Sequence, residues 1–282
     1  MKRKAEDIEI ASASDQEAFI YTGQSRHDIP RDVTHVKVDP SIKVIGRHAF
    51  YDFKMLRWVE LCEGLEHIDG GAFKACKSLE RIIIPSNIKV IGERAFSSCT
   101  MLRGIELHEG LERIDRSAFY NCTSLKGIVM PSSVKVIGVQ AFYSCRMLRG
   151  IVLREGLERI DQFAFYNCTS LDGIAIPSTV KVIGEEAFSC CSMLRGIELH
   201  EGLERIDRSA FYKCTSLECI VVPSAVKVIG AQAFYSCRML RGIELHAVEY
   251  IATDAFENCS RSVGIIEFSS GMEQFLSEVS LP

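Results

Sequence analysis

The sequence has no long hydrophobic run: no stretch free of Asp, Glu, Lys and Arg exceeds ten of its 282 residues. A membrane-spanning helix needs about 20 consecutive apolar residues, so we expect no membrane insertion. The charged start, residues 1–4, leads into no apolar core of the kind that a signal peptide carries. We therefore expect an intracellular protein that is located in the cytoplasm, with the nucleus as the alternative.

An excess of either charge sign is also missing, since 33 Lys and Arg face 37 Asp and Glu and the net charge is −4. Nucleic-acid binding proteins usually carry a concentrated basic face, so we expect no nucleic-acid partner. The sequence contains no nucleophile elbow, phosphate loop or dinucleotide fingerprint. These absences predict a protein that has neither catalysis nor a cofactor.

Metal-ligand spacing is absent as well, although the chain has twelve cysteines. No Cys-x-x-Cys occurs, so a compact zinc site lacks its usual ligand pattern. His108, His200 and His246 share one repeat position but lie at least two turns apart, roughly 10 Å if strands are about 4.8 Å apart. We expect no metal site, and we expect the cysteines to be free thiols, most of them buried.

What the sequence does have is an internal repeat, marked by the dipeptide Ala-Phe at a constant step of 23. Ile recurs five residues before each Phe and Ile or Val nine after, while Cys three after and Leu six after recur in nine of the ten turns. Each of these positions is predicted to be a buried column. The repeated phenylalanines define turns 1 to 10: Phe50, Phe73, Phe96, Phe119, Phe142, Phe165, Phe188, Phe211, Phe234 and, after a step of 22, Phe256.

A second period of 46 lies over the first, because odd and even turns carry different loop sequences. Residues 100–145 and 192–237 differ at seven of 46 positions. A unit as short as one turn cannot bury its own apolar side, whereas stacked copies form a continuous core. The alternation of Leu102, Ile105 and Leu107 predicts a short strand in each turn, and the Ala-Phe segment predicts a tight turn with a short helix. The predicted fold is an α/β repeat solenoid.

These columns resemble the leucine-rich repeat superfamily, specifically its BspA-like (Treponema pallidum-type) class, whose pattern runs Cys-x-x-Leu-x-x-Ile-x-Leu-Pro-x-x-Leu-x-x-Ile-Gly-x-x-Ala-Phe. Residues 122–142 display this pattern, and the resemblance covers roughly residues 33–268. It implies a right-handed superhelix with a concave parallel β-sheet and short helical or 3-10 segments on the convex side. Odd turns depart from the pattern, because they replace the loop proline by Cys62, His108, Arg154, His200 or His246.

The resemblance implies a non-catalytic scaffold that binds another protein, as a monomeric or weakly self-associating solenoid. Two alternatives stay open: a surface or exported adhesin, which is typical of bacterial members of the class, and a scaffold subunit of an enzyme complex. The expected organisation is a polar tail (1–17), an N-terminal cap and half-repeat (18–45), about ten turns (46–268) and a capping helix (269–282), for which a partner-binding helix is the alternative.

In such repeats the binding face consists of the outward strand positions. Seven residues after each Phe, arginines alternate with Glu80, Lys126, Asp172 and Glu218; eight after, glycine predominates; ten after, acidic and aliphatic residues alternate except across turns 5 and 6. That exception is an apolar window, although strand faces favour β-branched residues in any case. Trp58 suits a binding hot spot or packing under the cap. The predicted partner-binding residues are Trp58, Glu60, Arg103, Glu106, Val129, Arg149, Val152, Ala175, Arg195, Glu198, Arg241 and Glu244.

Two further columns lie away from this face. Tyrosines directly follow the core Phe in six turns, where they suit a second binding surface or a partly buried shield of the core. Methionines recur every second turn at Met55, Met101, Met147, Met193 and Met239. Because methionine side chains adapt to irregular space, we expect this column to fill the core.

Overall fold

The computed structural model describes residues 18–260 and the short strand at residues 264–265, and it shows a parallel β-solenoid of about nine turns. The predicted polar tail at residues 1–17 and the predicted capping helix at residues 269–282 lie outside the described residues. Each full turn contributes one strand to each of two sheets, which we call the front sheet and the back sheet. The repeat solenoid predicted from the sequence is confirmed.

The front sheet is formed by the strands that carry the Ile or Val nine residues after each Phe. Such a strand buries that residue and turns both neighbours outward, and equal positions of successive turns align, as Ile128 does with Ile151. Hydrogen bonds join the strands in three groups, β1-β2-β4-β6-β8, β10-β12-β14-β16 and β18-β20-β22. The strands are β1 (Phe19–Tyr21), β2 (His35–Val38), β4 (Trp58–Glu60), β6 (Arg81–Ile83), β8 (Gly104–Glu106), β10 (Gly127–Val129), β12 (Gly150–Val152), β14 (Gly173–Ala175), β16 (Gly196–Glu198), β18 (Cys219–Val222), β20 (Gly242–Leu245) and β22 (Gly264–Ile265).

The back sheet is a second set of strands that the sequence analysis did not predict. Ten two-residue strands, each ending on the Ile that precedes an Ala-Phe segment, form one uninterrupted parallel sheet. Residues expected to form only a turn therefore supply a second ladder between turns. The strands are β3 (Val44–Ile45), β5 (His67–Ile68), β7 (Val90–Ile91), β9 (Arg113–Ile114), β11 (Val136–Ile137), β13 (Arg159–Ile160), β15 (Val182–Ile183), β17 (Arg205–Ile206), β19 (Val228–Ile229) and β21 (Tyr250–Ile251).

In turns 3, 5, 7 and 9 the residue after the back strand is a glycine that the preceding turn approaches closely. A Cβ atom on Gly92 would lie 2.7 Å from the carbonyl oxygen of Ile68, and one on Gly138 would lie 2.9 Å from the carbonyl oxygen of Ile114. Side-chain carbons do not approach backbone atoms so closely, so only glycine lets these turns touch. This glycine thus serves contact between turns, in addition to the local turn for which it was predicted.

The prediction of short helical or 3-10 segments on the convex side is wrong, because the described residues contain no helix. The segment between a back strand and the next front strand, which we call the Phe arc (residues 138–148 in turn 5), is a series of turns. Residues two before and two after the Phe have left-handed backbone angles, as Gln140 (φ 59°) and Ser144 (φ 58°) do. A right-handed helix cannot continue through such residues.

Backbone donors in the Phe arc alternate between two kinds of partner. The N–H of Ala141 donates three residues back to Gly138 at 3.0 Å, whereas the N–H of Phe142 donates to Ala164 of the next turn at 2.8 Å. Buried backbone groups need hydrogen-bond partners, and this alternation supplies them without a helix. The arcs therefore form a third set of hydrogen bonds between turns, beside the two sheets.

The core is built on a continuous stack of the ten repeated phenylalanines. From Phe50 to Phe256, neighbouring ring centroids lie 5.1–5.5 Å apart and the rings are within 10° of parallel. Parallel rings at this separation are offset, which is a favoured arrangement. No ring is more than 3% exposed. The Phe rings therefore fill the space between successive turns.

Nine cysteines line the phenylalanine stack. Each thiol donates a hydrogen bond of 3.0–3.2 Å to the carbonyl oxygen of the Phe one turn earlier, as Cys145 does to Phe119. Burial raises the pKa of the Cys145 thiol to about 12. The predicted buried free thiols are confirmed for this column.

Two kinds of surface contact explain why the sequence repeats more closely every second turn. Lys135 of turn 4 pairs with Glu158 of turn 5 at 3.7 Å. The Glu155 carboxylate of turn 5 accepts hydrogen bonds from Ser178 of turn 6, at 3.1 Å from its N–H and 2.9 Å from its hydroxyl. These hydrogen bonds lower the pKa of Glu155. Because the two contacts alternate along the solenoid, the structural unit is a pair of turns.

The prediction that the methionine column fills the core is wrong. The five side chains, Met55, Met101, Met147, Met193 and Met239, are 40–52% exposed. They lie one residue before the buried Leu column, where the chain turns toward the front sheet.

The described part of the chain contains no helix with the length and apolar character that a membrane span needs.

Candidate partner-binding surface

The front strands present outward residues in rows that run from turn to turn. We call the positions seven, eight and ten residues after each Phe the charged row, the glycine row and the outer row. The twelve predicted residues lie in these rows: Arg103, Arg149, Arg195 and Arg241 in the charged row, Trp58 in the glycine row, and Glu60, Glu106, Val129, Val152, Ala175, Glu198 and Glu244 in the outer row. Trp58 and Glu244 are half-buried and the other ten are exposed. The structure therefore places all twelve on one sheet face.

Only in turns 4 to 6 of the described chain are aliphatic residues neighbours in the outer row. Val129 and Val152 align on β10 and β12 and are 52% and 50% exposed, and Ala175 follows on β14. Ile83 and Val221 are equally exposed, but each aligns with a glutamate on the following strand. We call Val129, Val152 and Ala175 the apolar window.

The glycine row is not required by the fold. A Cβ atom on Gly150 or Gly196 would meet no atom within 4 Å, and one on Gly127 would lie 3.4 Å from its nearest neighbour. None of these residues has a positive φ, and turn 8 carries an exposed Cys219 in the same row. Glycine in a strand costs about 0.5–1 kcal/mol relative to alanine and often marks close approach of another molecule. The row leaves the backbone beside the window open to a partner.

Ion pairs use some of the charged side chains on the front sheet and leave others free. Arg195 pairs with Asp172 at 3.7 Å, and at the N-terminal end Glu60 lies 3.1 Å from the Nε2 atom of His35. Arg149 has no ion pair among the described residues. The two arginines beside the window, Arg149 and Arg195, therefore differ, because only Arg195 has a carboxylate partner among the described residues.

Trp58 lies near the N-terminal end of the front sheet. Its strand, β4, lies between β2 and β6, and Trp58 aligns with His35 and Arg81. The side chain is half-buried, so Trp58 is neither fully covered by the N-terminal strands nor fully available as a contact residue.

The tyrosines form a ladder on the Phe arcs, away from the front sheet. Tyr120, Tyr143 and Tyr166 stack with centroids 4.8 and 4.7 Å apart, and all three are half-buried. Burial, together with the neighbouring Cys190, raises the pKa of Tyr166 to about 12. Much of each ring is therefore used within the protein, as expected of a shield for the core.

Side chains that suit metal binding are dispersed over residues 18–260. No three His, Cys, Asp or Glu side chains of this part of the chain are grouped to hold a metal ion. His246 lies 3.0 Å from Glu244, and His108 and His200 are exposed on other turns.

A depression on the back sheet is lined by charged residues that pair with one another, as Arg159 and Asp161 do at 2.7 Å. The rows of the front sheet offer apolar and charged contacts.

One residue beside the window was not among those predicted from the sequence. Lys126 is exposed in turn 4 and stands between Arg103 and Arg149 in the charged row. The other described even turns carry Glu or Asp at this position, so the signal was present as an exception to the alternation. The structure adds that none of these three cations has an ion pair among the described residues.

The chain matches a known family model over most of its length. Residues 29–149 and 135–263 match the model described as BspA type leucine rich repeat region (6 copies). No curated protein matches the chain.

Several solved structures are similar to this one. A leucine rich cell surface protein from Faecalibacterium prausnitzii is 27% identical, with 89% of this chain and 77% of that one covered and a TM-score of 0.52. The pneumococcal vaccine antigen PcpA is 21% identical over 93% of this chain and 81% of its own, with a TM-score of 0.54, a likeness of fold alone. The leucine rich repeat protein of T. pallidum is 34% identical over 62% of this chain and 72% of its own, with a TM-score of 0.46.

Proposed function

Because this chain belongs to the BspA-type leucine-rich repeat family, we propose that it is a non-catalytic scaffold that binds another protein through its front sheet. The observation that carries the proposal is the apolar window beside glycines that the fold does not require. Half-exposed valines next to bare backbone cost the isolated protein stability, and a partner that covers them offsets this cost.

Rigidity of the surface supports the same function. Back strands and Phe arcs join neighbouring turns by hydrogen bonds along the solenoid, and front strands do so within each of their three groups, so the rows of the front sheet are held in place before a partner arrives. A pre-organised surface binds with a smaller loss of conformational entropy. The partner therefore meets the window in its binding geometry.

The proposal includes an intracellular location for this monomeric or weakly self-associating protein. Its support is the cysteine column, whose nine thiols are buried and act as hydrogen-bond donors in the reduced form that an intracellular compartment maintains. Protein that is denatured and alkylated at lysis without reductant should show nine free thiols in this column. Disulfides within the column, or glycans on the Asn-Cys-Thr sequons at Asn121 and Asn167, would instead indicate export.

Affinity capture from the source cell, followed by mass spectrometry, tests the binding face. The bait Val152→Glu places a charge in the window, and it should fold because Glu106 and Glu198 occupy the same position in turns 3 and 7. The control bait Val44→Glu changes an exposed valine of the back sheet. We expect a partner that wild type and the Val44→Glu control capture and Val152→Glu does not. Equal capture by all three baits would place binding away from the front sheet.

A further inference from the structure

Opposite charges alternate between turns over most of this protein. On the back sheet, Lys89 pairs with Glu112 at 3.4 Å, and the same pair recurs every two turns. In the charged row of the front sheet, Arg195 lies between Asp172 and Glu218, one of which it contacts. Like charges on neighbouring strands are unfavourable, so alternation is the arrangement that the solenoid itself favours.

The charged row breaks this rule at Lys126. Arg103, Lys126 and Arg149 follow one another on consecutive turns, about 4.8 Å apart if they follow the strand spacing, and all three are exposed. None of them takes part in an ion pair among the described residues. We call these three residues the cation row. The fold does not require it, because Glu218 occupies the equivalent position two turn pairs later.

The outer row breaks its own rule on the adjacent strand. Turns 1, 3, 7 and 9 carry glutamate ten residues after the Phe, whereas turn 5 carries Val152. Lys126 stands where the other described even turns carry an acidic residue, which makes the local net charge more positive by two. Val152 stands where other odd turns carry glutamate, which makes it more positive by one. Both changes lie on β10 and β12 or directly beside them. One small region is thus both more apolar and more positive than the repeat dictates.

We propose that the apolar window and the cation row together bind a short segment of a partner protein that carries acidic and aliphatic residues. This inference rests on the proposed function and names the chemistry of the partner. The two rows are three residues apart along the strands, about 10 Å, with the bare glycine row between them. A segment that crosses the strands there sets carboxylates over Arg103, Lys126 and Arg149 and aliphatic side chains over Val129 and Val152.

The neighbouring charges limit how long the acidic part of the segment is. Glu80 precedes the cation row and Asp172 follows it, so a polyanion that ran beyond three turns would meet repulsion at both ends. The apolar window shares turns 4 and 5 with the cation row and offers a phosphate backbone nothing to bind. A peptide with two or three acidic residues fits both limits, whereas a nucleic acid fits neither.

Selection from a phage-displayed library of random peptides, each long enough to cross three strands, tests the inference. Wild-type protein should select peptides rich in Asp, Glu and aliphatic residues. Lys126→Glu removes an attraction and adds a repulsion, each worth up to about fivefold, so it should weaken these peptides roughly fivefold to twentyfold. Val152→Glu should also weaken them. The matched control Val221→Glu, on the same face but outside the window, should not.

The outcomes separate this inference from the proposed function. Peptides that Val152→Glu weakens, but that show no acidic excess or no response to Lys126→Glu, would overturn the inference and leave front-sheet binding intact. Peptides that neither variant weakens would bind elsewhere, and both proposals would fail. Binding of a (dT)20 oligonucleotide as tight as that of the peptides, and equally weakened by Lys126→Glu, would also overturn the inference. Thermal melts should show all three variants folded, since each introduces a residue found at the same position of another turn.

Discussion

Replacing Phe142 by alanine should lower the free energy of unfolding more than replacing an exposed or half-buried aromatic residue does. Phe142 is fully buried, and its ring lies between Phe119 at 5.2 Å and Phe165 at 5.3 Å, within 10° of parallel to both. Truncation of a core Phe typically costs about 3–5 kcal/mol. We expect a value in the upper half of that range, because the backbone N–H groups of Phe119 and Phe165 donate to Ala141 and Ala187 of the next turn, which limits how far either ring can move to close the cavity.

Tyr143 provides a matched control on the next residue. Its ring also lies between two rings, Tyr120 at 4.8 Å and Tyr166 at 4.7 Å, but it is half-buried. Tyr143→Ala loses two ring contacts, each worth about 0.5–1.5 kcal/mol, and opens no cavity, so it should cost about 1–3 kcal/mol. The difference between the two variants isolates burial from stacking.

Urea unfolding followed by circular dichroism measures both free energies. In a solenoid each turn is stabilised only by its neighbours, so a cavity in turn 5 weakens coupling between the two halves. Phe142→Ala should therefore also broaden the transition or split it in two. A free energy of unfolding no lower than that of Tyr143→Ala would refute the assignment of the Phe stack as the main source of stability.

Three smaller predictions concern glycine and cysteine. Gly92→Ala should lower the melting temperature because its Cβ would lie 2.7 Å from the carbonyl oxygen of Ile68, whereas Gly150→Ala, with no atom within 4 Å, should not; equal effects would contradict this reading. Maleimide should modify exposed Cys219 of the native protein well before buried Cys145, which peptide mapping would show. Burial raises the pKa of the Cys145 thiol to about 12 from its usual 9.0, so the unfolded chain loses protons first as the pH rises above 9. The melting temperature should therefore fall as the pH rises from 9 towards 12, and a constant value would refute the linkage.

The front sheet and the core were predictable because their signals repeat. Leu and Ile at fixed distances from each Phe identify buried columns, and a constant step between turns aligns equal positions of successive strands, as Ile128 and Ile151 show. The outward rows follow from the same register. The binding residues predicted from those rows remain predictions.

The Phe arc was not predictable, because its backbone leaves no mark on the sequence. Left-handed residues are usually recognised as glycine, yet these positions carry residues as different as Gln140, Phe163 and Cys190. Each such residue costs roughly 1–2 kcal/mol, and hydrogen bonds to the next turn offset that cost only once the turns are stacked. A helix was therefore predicted where the neighbouring turn, absent from any local pattern, dictates a series of turns.

The back sheet and the ion pairs were not predicted from the sequence, for related reasons. Two residues per strand, such as Val136–Ile137, are too few to show an alternating pattern. Whether Arg195 or Arg149 is free depends on which neighbour reaches it, and Asp172 reaches only Arg195. The methionines were wrongly predicted to be buried, because their apolar character alone does not indicate that they lie at a bend of the chain.

The alternating links between turns fix how this protein can change in length. Since Lys135 requires the glutamate of the next turn and Glu155 requires the serine of the turn after that, a gain or loss of a single turn would set two turns of the same kind side by side. Recombination between near-identical gene segments therefore preserves every link only in steps of two turns, about 10 Å of solenoid. Changes in length of two turns at a time are thus favoured, and each added pair of turns brings a new set of outward side chains that can vary.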